Sequence, residues 1–207
     1  MYQTVSIYGD MKKGLETKER ITGRALELFH SRGYHSTSMN DIMEITGVKK
    51  GNLYFHYSSK EELALDVLKE ALKIYEDFIS SRISGNDYYS RLCSLVDAVV
   101  EFHVTGGDGR GCIFGNMALE SGGSGSALAE FTAGVFRGWE RNIAGLISRG
   151  ADSGEFRLGE TPGELARVIT AQLEGGIMLS KLYSGYEPLR ESAGFIKSAL
   201  RERLKAR

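Results

Sequence analysis

Apolar side chains recur every three or four residues along most of this chain, and no segment convincingly alternates apolar with polar. The first spacing paints one stripe on a helix, whereas a half-buried strand needs the second. The pattern predicts an all-α protein of about nine helices. A first helix runs from about Thr17 to Arg32, capped by Thr17, with Ile21, Ala25, Leu28 and Phe29 inward and Gly33 as its stop. Ser38 and Asp41 make a capping-box-like start for a short second helix, Ile42 and Ile45 form its stripe, and Gly47 suits left-handed backbone at its end. Val48 and Leu53 anchor a third helix. Ser59 with Glu62 makes a capping box for a long fourth helix reaching about Arg82, with Leu63, Val67, Ala71, Ile74 and Phe78 as its buried stripe. Gly85-Asn86 breaks it. Further helices follow over about 88–104, 112–121, 126–150, 163–183 and 188–205, separated by glycine-rich or loop segments. Residues 1–10 are polar and unpatterned, which predicts a disordered tail over 1–13, with Met11 an alternative chain start.

Charge changes the picture. The formal net charge is only −1, close to overall balance. Residues 12–60, however, carry nine Lys/Arg against five Asp/Glu, and residues 61–207 carry 17 against 21. The excess of cations sits where phosphate neutralisation would need it. Two cysteines give no disulfide framework, no apolar run approaches the ~20 residues needed to span a membrane, and no signal segment opens the chain. The expectation is a cytoplasmic protein with no membrane partner and no cofactor. His30, His35, His56 and His103 lack metal-ligand spacing. The run G-G-D-G-R-G lacks the ending of a phosphate-binding loop and follows no strand, so it reads as a linker.

The most informative stretch is Thr37 to Tyr57, T-S-M-N-D-I-M-E-I-T-G-V-K-K-G-N-L-Y-F-H-Y. It reads as helix, glycine-centred turn and second helix, with Lys49, Lys50, Asn52, Tyr54 and His56 on the outer rim of the second. Ammonium groups pair with phosphates, a carboxamide reads base edges, and a tyrosine hydroxyl donates to a phosphate. This is a helix-turn-helix whose second helix enters a major groove.

The same residues, extended by S-S-K-E-E-L, resemble the amino-terminal segment of TetR-family transcriptional regulators over about Thr17 to Leu63. The matching positions include Gly33-Tyr34, Asp41-Ile42, Gly47-Val48, Gly51, Leu53-Tyr54, Lys60 and Leu63; Tyr57 stands where the family usually has Phe. The resemblance implies a three-helix DNA-binding domain over residues 14–60 and a helical ligand-binding and dimerisation domain over 61–207. It implies that Thr37, Ser38, Tyr54, His56 and Lys60 hold phosphates while Lys49, Lys50, Gly51 and Asn52 lie nearest the bases. In that family the last two helices form a two-fold dimer, which places Leu173, Gly176, Ile177, Phe195, Ala199 and Leu200 at the interface.

Aromatic and soft side chains interleaved with polar ones between residues 75 and 139 nominate an effector pocket: Phe78, Phe102, His103, Asn116, Met117, Glu120, Phe136 and Trp139. Cys112 joins them. A helix start and Arg110 two residues away would lower its thiol pKa and suit an electrophile sensor; its plain alternative is a small buried hydrophobe. Two functions follow. One is a homodimeric repressor of a palindromic operator, released by a small-molecule effector. The other is a DNA-bound helical protein-interaction module without an effector. No nucleophile–base pairing or cofactor motif points to an enzyme.

Overall fold

The computed structural model describes residues 3–106 and 109–205, with side chains from residue 14 onward. Nine α-helices occupy the described residues: α1 (Gln3–Arg32), α2 (Met39–Thr46), α3 (Lys50–His56), α4 (Lys60–Ser80), α5 (Tyr88–Thr105), α6 (Ile113–Ser121), α7 (Ala127–Asp152), α8 (Pro162–Tyr183) and α9 (Glu187–Glu202). The only β-pairing among them is an isolated antiparallel bridge between Phe156 and Leu204.

Helix α1 corrects one expectation. It begins at Gln3, so the expected disordered tail is helical backbone from that residue, and Thr17 lies inside the helix and does not cap it. Met1 and Tyr2 lie outside the described residues. No proline interrupts the segment, and extending an existing helix costs far less than nucleating one. At the other end, α9 stops at Glu202, short of the expected Lys205. The reason is tertiary: Arg157 N–H donates to the Arg203 carbonyl (2.8 Å) and Lys205 N–H donates to the Glu155 carbonyl (2.9 Å), which pulls the chain out of helical geometry.

Helices α1 to α4 form a first packed unit around Ile21, Ala25, Phe29, Ile42, Leu53, Tyr57 and Leu63, all nearly inaccessible. The α2 start is a complete capping box between Ser38 and Asp41, and the left-handed Gly47 (φ 65°) ends the helix as its sequence position suggested. Ile45 departs from the expected stripe: it is 42% exposed, because a helix of eight residues turns only one narrow face inward. Tyr57 keeps the aromatic plug in place, and its hydroxyl donates to Asp66 Oδ2 (3.4 Å). The same carboxylate holds Lys18 Nζ at 2.8 Å and so ties α1 to α4.

Helix α4 is a rod of about 30 Å at ~1.5 Å per residue. Its first turns complete the small unit, and its remainder packs on α5 and α7. Ser59 caps it, but Glu62 does not close the expected box: its carboxylate accepts from Ser58 N (2.8 Å) and Ser58 Oγ (2.7 Å). Ile74, expected inside, is 48% exposed, Phe78 is half-buried, and Ile79 takes the inward position. Helix α8 packs between α7 and α9, and its start carries a capping box, Thr161 with Glu164, spanning Pro162 in the first turn.

Candidate DNA-binding face and effector cavity

Helix α3 has a single buried side chain, Leu53, and Val48 fills the turn before it. Both anchors draw the helix onto the core and leave its other sides in solvent. Lys49, Lys50, Gly51, Asn52 and Tyr54 are exposed as a result, and His56 is half-buried. Nothing lies within 4 Å of the place where a Cβ on Gly51 would sit, so this part of the helix presents bare backbone outward. Phe55, which the sequence reading passed over, is 82% exposed on the same helix and stacks edge-on against His56 at 5.3 Å. An exposed aromatic on a groove-reading helix can meet thymine methyl groups. Its signal was present, because Leu53 inward forces its second neighbour outward.

Three of the expected phosphate holders are otherwise engaged. Thr37 is 1% exposed and its hydroxyl donates to the Gly33 carbonyl (2.8 Å), so its side chain is removed from the DNA-facing set. Lys60 Nζ donates to the carbonyls of Tyr34 and Thr37, both at 3.0 Å, and lies 4.3 Å above the Tyr34 ring. That ammonium fastens the α1–α2 loop to α4. Ser38 is exposed, but its hydroxyl donates to Asp41, whose carboxyl is held below the usual range by that bond.

Deeper in the chain, a cavity of about 320 Å³ opens between α4, α5, α7 and α8, with Cys112 at its α6 edge. Of the expected effector contacts it holds His103, Cys112 and Trp139. Asn116 and Phe136, together with Cys112 again, line a neighbouring groove of about 470 Å³ between α6, α7 and α8. Phe78 and Phe102 stack on one another at 5.1 Å in the aromatic wall behind the cavity, and Met117 is plain core at 3% exposure. Tyr75, where the aromatic stretch between residues 75 and 139 begins, lines the cavity as well; Thr170 and Glu174 also line it and were missed, since α8 joins the other helices only in space.

Glu120 corrects another expectation. Its carboxylate turns away from the cavity and accepts from the backbone N–H groups of Tyr34 (3.1 Å) and His35 (2.7 Å), while His35 Nε2 contacts the Glu120 carbonyl (3.1 Å). His30 Nε2 meets the Gly111 carbonyl at 2.8 Å just before α6. Helix α6 thus grips the loop that orients the DNA-facing unit.

Cys112 is the N-cap of α6 and its Sγ accepts from Gly115 N–H (3.3 Å). Burial, helped by the nearby Glu174 charge, pushes its thiol well above the ordinary range, opposite to the expected lowering. The helix start is present, but desolvation outweighs it. His103 Nδ1 donates to the Val99 carbonyl of its own helix (2.9 Å), and burial lowers its pKa.

The expected dimer residues divide as well. Leu173, Gly176, Ile177 and Leu200 are buried within this chain, and a Cβ on Gly176 would sit 2.7 Å from Ser192 Oγ and 3.0 Å from Leu189 Cα. Gly176 packs α8 onto α9, whereas Leu173 and Ile177 turn into the cavity. Ala199 is half-buried, and Phe195 remains 64% exposed. The open apolar face consists of Val168, Met178, Leu182, Tyr183 and Phe195, each more than half exposed.

A recessed anchor, an outward cationic and amide rim, and a helical domain reached by one rigid rod define a helix-turn-helix DNA-binding regulator. Residues 21–67 match the family described as bacterial regulatory proteins, tetR family, and residues 89–195 match a tetracyclin repressor-like C-terminal domain. The chain belongs to the TetR family of transcriptional regulators and is not an enzyme. It is 26% identical over 185 residues to the transcriptional repressor DhaR of Mycobacterium sp. strain GP1, covering 88% of this chain and 91% of that one. A TetR regulator from Chloroflexus aurantiacus shares the fold with a TM-score of 0.87 at 28% identity, covering 95% of this chain and all of that one. The regulator QacR of Staphylococcus aureus is 41% identical over 54 residues, 26% of this chain and 29% of its own. Among the described residues no helix is long and apolar enough to cross a membrane.

Proposed function

We propose that this protein is a homodimeric transcriptional repressor that occupies a palindromic operator and leaves it when a small molecule fills the cavity beside Trp139. One observation carries the reading: α4 lines that cavity with Tyr75 and Ile79 at one end and completes the DNA-facing unit with Leu63 and Val67 at the other. A body that spreads the cavity displaces the rod, and the rod carries α3. The contact of α6 with the α1–α2 loop through Glu120 is a second link between the same two places. Repression rather than activation is supported by the relative named as a repressor. A protein-interaction module would need no such cavity, which favours the effector reading.

The exposed apolar face on α8 and α9 and the short reach of one α3 support dimerisation. A single helix reads too few base pairs for useful selectivity, so two copies at half-sites roughly 34–36 Å apart, or a multiple, are the physical expectation. Selection of bound duplexes from a random pool tests this directly: an inverted repeat is expected, and recovery of single half-sites only would reject the dimer.

In that selection Asn52→Ala should change the preferred base at one position per half-site, at about 1–3 kcal/mol if the carboxamide makes a bidentate contact. An unchanged sequence preference removes Asn52 from the base-reading set. Cys112→Ser should leave effector release of operator DNA intact, because a buried thiol held in its protonated form is a poor nucleophile. Loss of release in the serine variant, measured with an electrophile as inducer, would restore the sensor role.

A further inference from the structure

Resting on that reading, we propose that the effector is a protonated amine on an apolar, aromatic-sized body, its ammonium held by Glu174 and Thr170 and its body against Tyr75 and Trp139. Glu174 is the central observation. Its carboxylate lies over α6, where a Cβ on Gly115 would come within 2.5 Å of Oε2, and among the described residues its only polar partner is the Cys112 thiol. A carboxylate taken from water without a cation is costly, and a cation arriving from solution removes that cost.

The rest of the cavity agrees. Thr170 is 8% exposed and its Oγ1 has no hydrogen-bond partner; it stands four residues before Glu174, hence on the same face of α8. An ammonium has protons for both oxygens. Trp139 Nε1 is likewise buried and unpartnered, which leaves a donor for an acceptor atom on the ligand body. The indole packs against Tyr75 at 4.8 Å, so the wall is aromatic and attracts cations as well as apolar surface.

The ionisable groups around the site leave the negative charge uncompensated. Helix α4 contributes Tyr75 and Glu76, α5 contributes His103, the α6 N-cap contributes Cys112, and α7 contributes none. On the outer side, the α6–α8 groove carries Glu140, Arg167 and Lys181, and Lys181 Nζ donates to Asn116 Oδ1 (3.1 Å). Burial lifts Glu174 to about 7, and His103 is lowered, so neither cancels the other near neutrality. An ammonium that draws Glu174 off Gly115 and Cys112 loosens the seat of α6, whose Glu120 grips the DNA-facing unit.

The chain's one tryptophan reports on the cavity from within. Binding of 4-phenylbutylamine and of its neutral counterpart 4-phenylbutan-1-ol to the full-length protein is measured by Trp139 fluorescence and calorimetry, with operator binding followed in the same samples. At pH 8 the amine should bind at least tenfold more tightly than the alcohol. An amine of this type stays charged throughout (amines of the lysine kind titrate near ~10.4), so a fall to pH 6 acts on the protein: Glu174 protonates and the preference shrinks. Glu174→Gln should abolish the preference at both pH values while keeping alcohol affinity and operator binding. Equal affinity for the two probes at pH 8, no binding of either at millimolar concentration, or a glutamine variant that still prefers the amine overturns the proposal. If that variant does not fold, the wild-type pH series decides alone. Intact operator binding in those failing cases leaves the repressor reading standing; absent operator binding in every sample would remove it instead.

Discussion

Replacing Lys49 and Lys50 together by Ala should weaken operator binding by up to about a thousandfold at physiological salt. The dimer would lose four cations, and each phosphate contact is worth roughly 0.9 in the slope of log affinity against log salt. The slope should therefore become shallower by about 3.6, and each lost contact costs on the order of fivefold near ~0.15 M salt. Both side chains are exposed at the start of α3, so thermal unfolding should barely move. Affinity measured across a salt series is the check, and an unchanged slope would mean that these ammonium groups never meet the phosphates.

Leu53→Ala is expected to abolish operator binding by a different route. Leu53 is inaccessible and is the one buried side chain of a seven-residue helix, so nothing else in α3 holds it on the protein. Removing a buried leucine side chain costs about 2–5 kcal/mol. Here the loss falls on a helix too short to persist unaided. Circular dichroism should show a lower melting temperature together with lost operator binding, whereas the lysine variant should lose binding alone. A Leu53→Ala protein that still binds its operator normally would show that α3 is seated by its neighbours.

The two changes separate the roles of one helix, and the structure explains why both roles fit in seven residues. A turn of 3.6 residues lets one side chain point in while those on either side point out. Lys60, expected on the DNA side, shows the opposite case. Its long stem reaches back across α4, and its ammonium satisfies two loop carbonyls, a use that a surface position in the sequence does not reveal.

The amino-terminal unit was largely legible in the sequence because its determinants are local. Ser38 and Asp41 cap α2 within four residues of one another, Gly47 takes the left-handed backbone, and Leu53 points inward by periodicity alone. The exceptions there arise from short helices and long side chains: Ile45 outside, Thr37 inside. The all-helical class was equally plain, since an apolar spacing of three to four needs no knowledge of neighbours.

Only the tertiary structure decided which polar groups meet. Glu120 looked like a pocket residue and turned out to hold the backbone of Tyr34 and His35, some 85 positions earlier in the chain. Cys112 looked activated, yet burial beside Glu174, 62 residues later, reverses the direction of its pKa. Gly176 sits in a stripe that suits either a partner subunit or the neighbouring helix, and the crossing of α8 with α9 assigned it to the latter, while Leu173 of the same stripe lines the cavity. Helix starts, stops and inward faces depend on backbone geometry within one turn, so the chain by itself determines them. A cavity, its uncompensated carboxylate and the grip of one domain on another depend on distances between segments far apart in the chain, which no local spacing encodes.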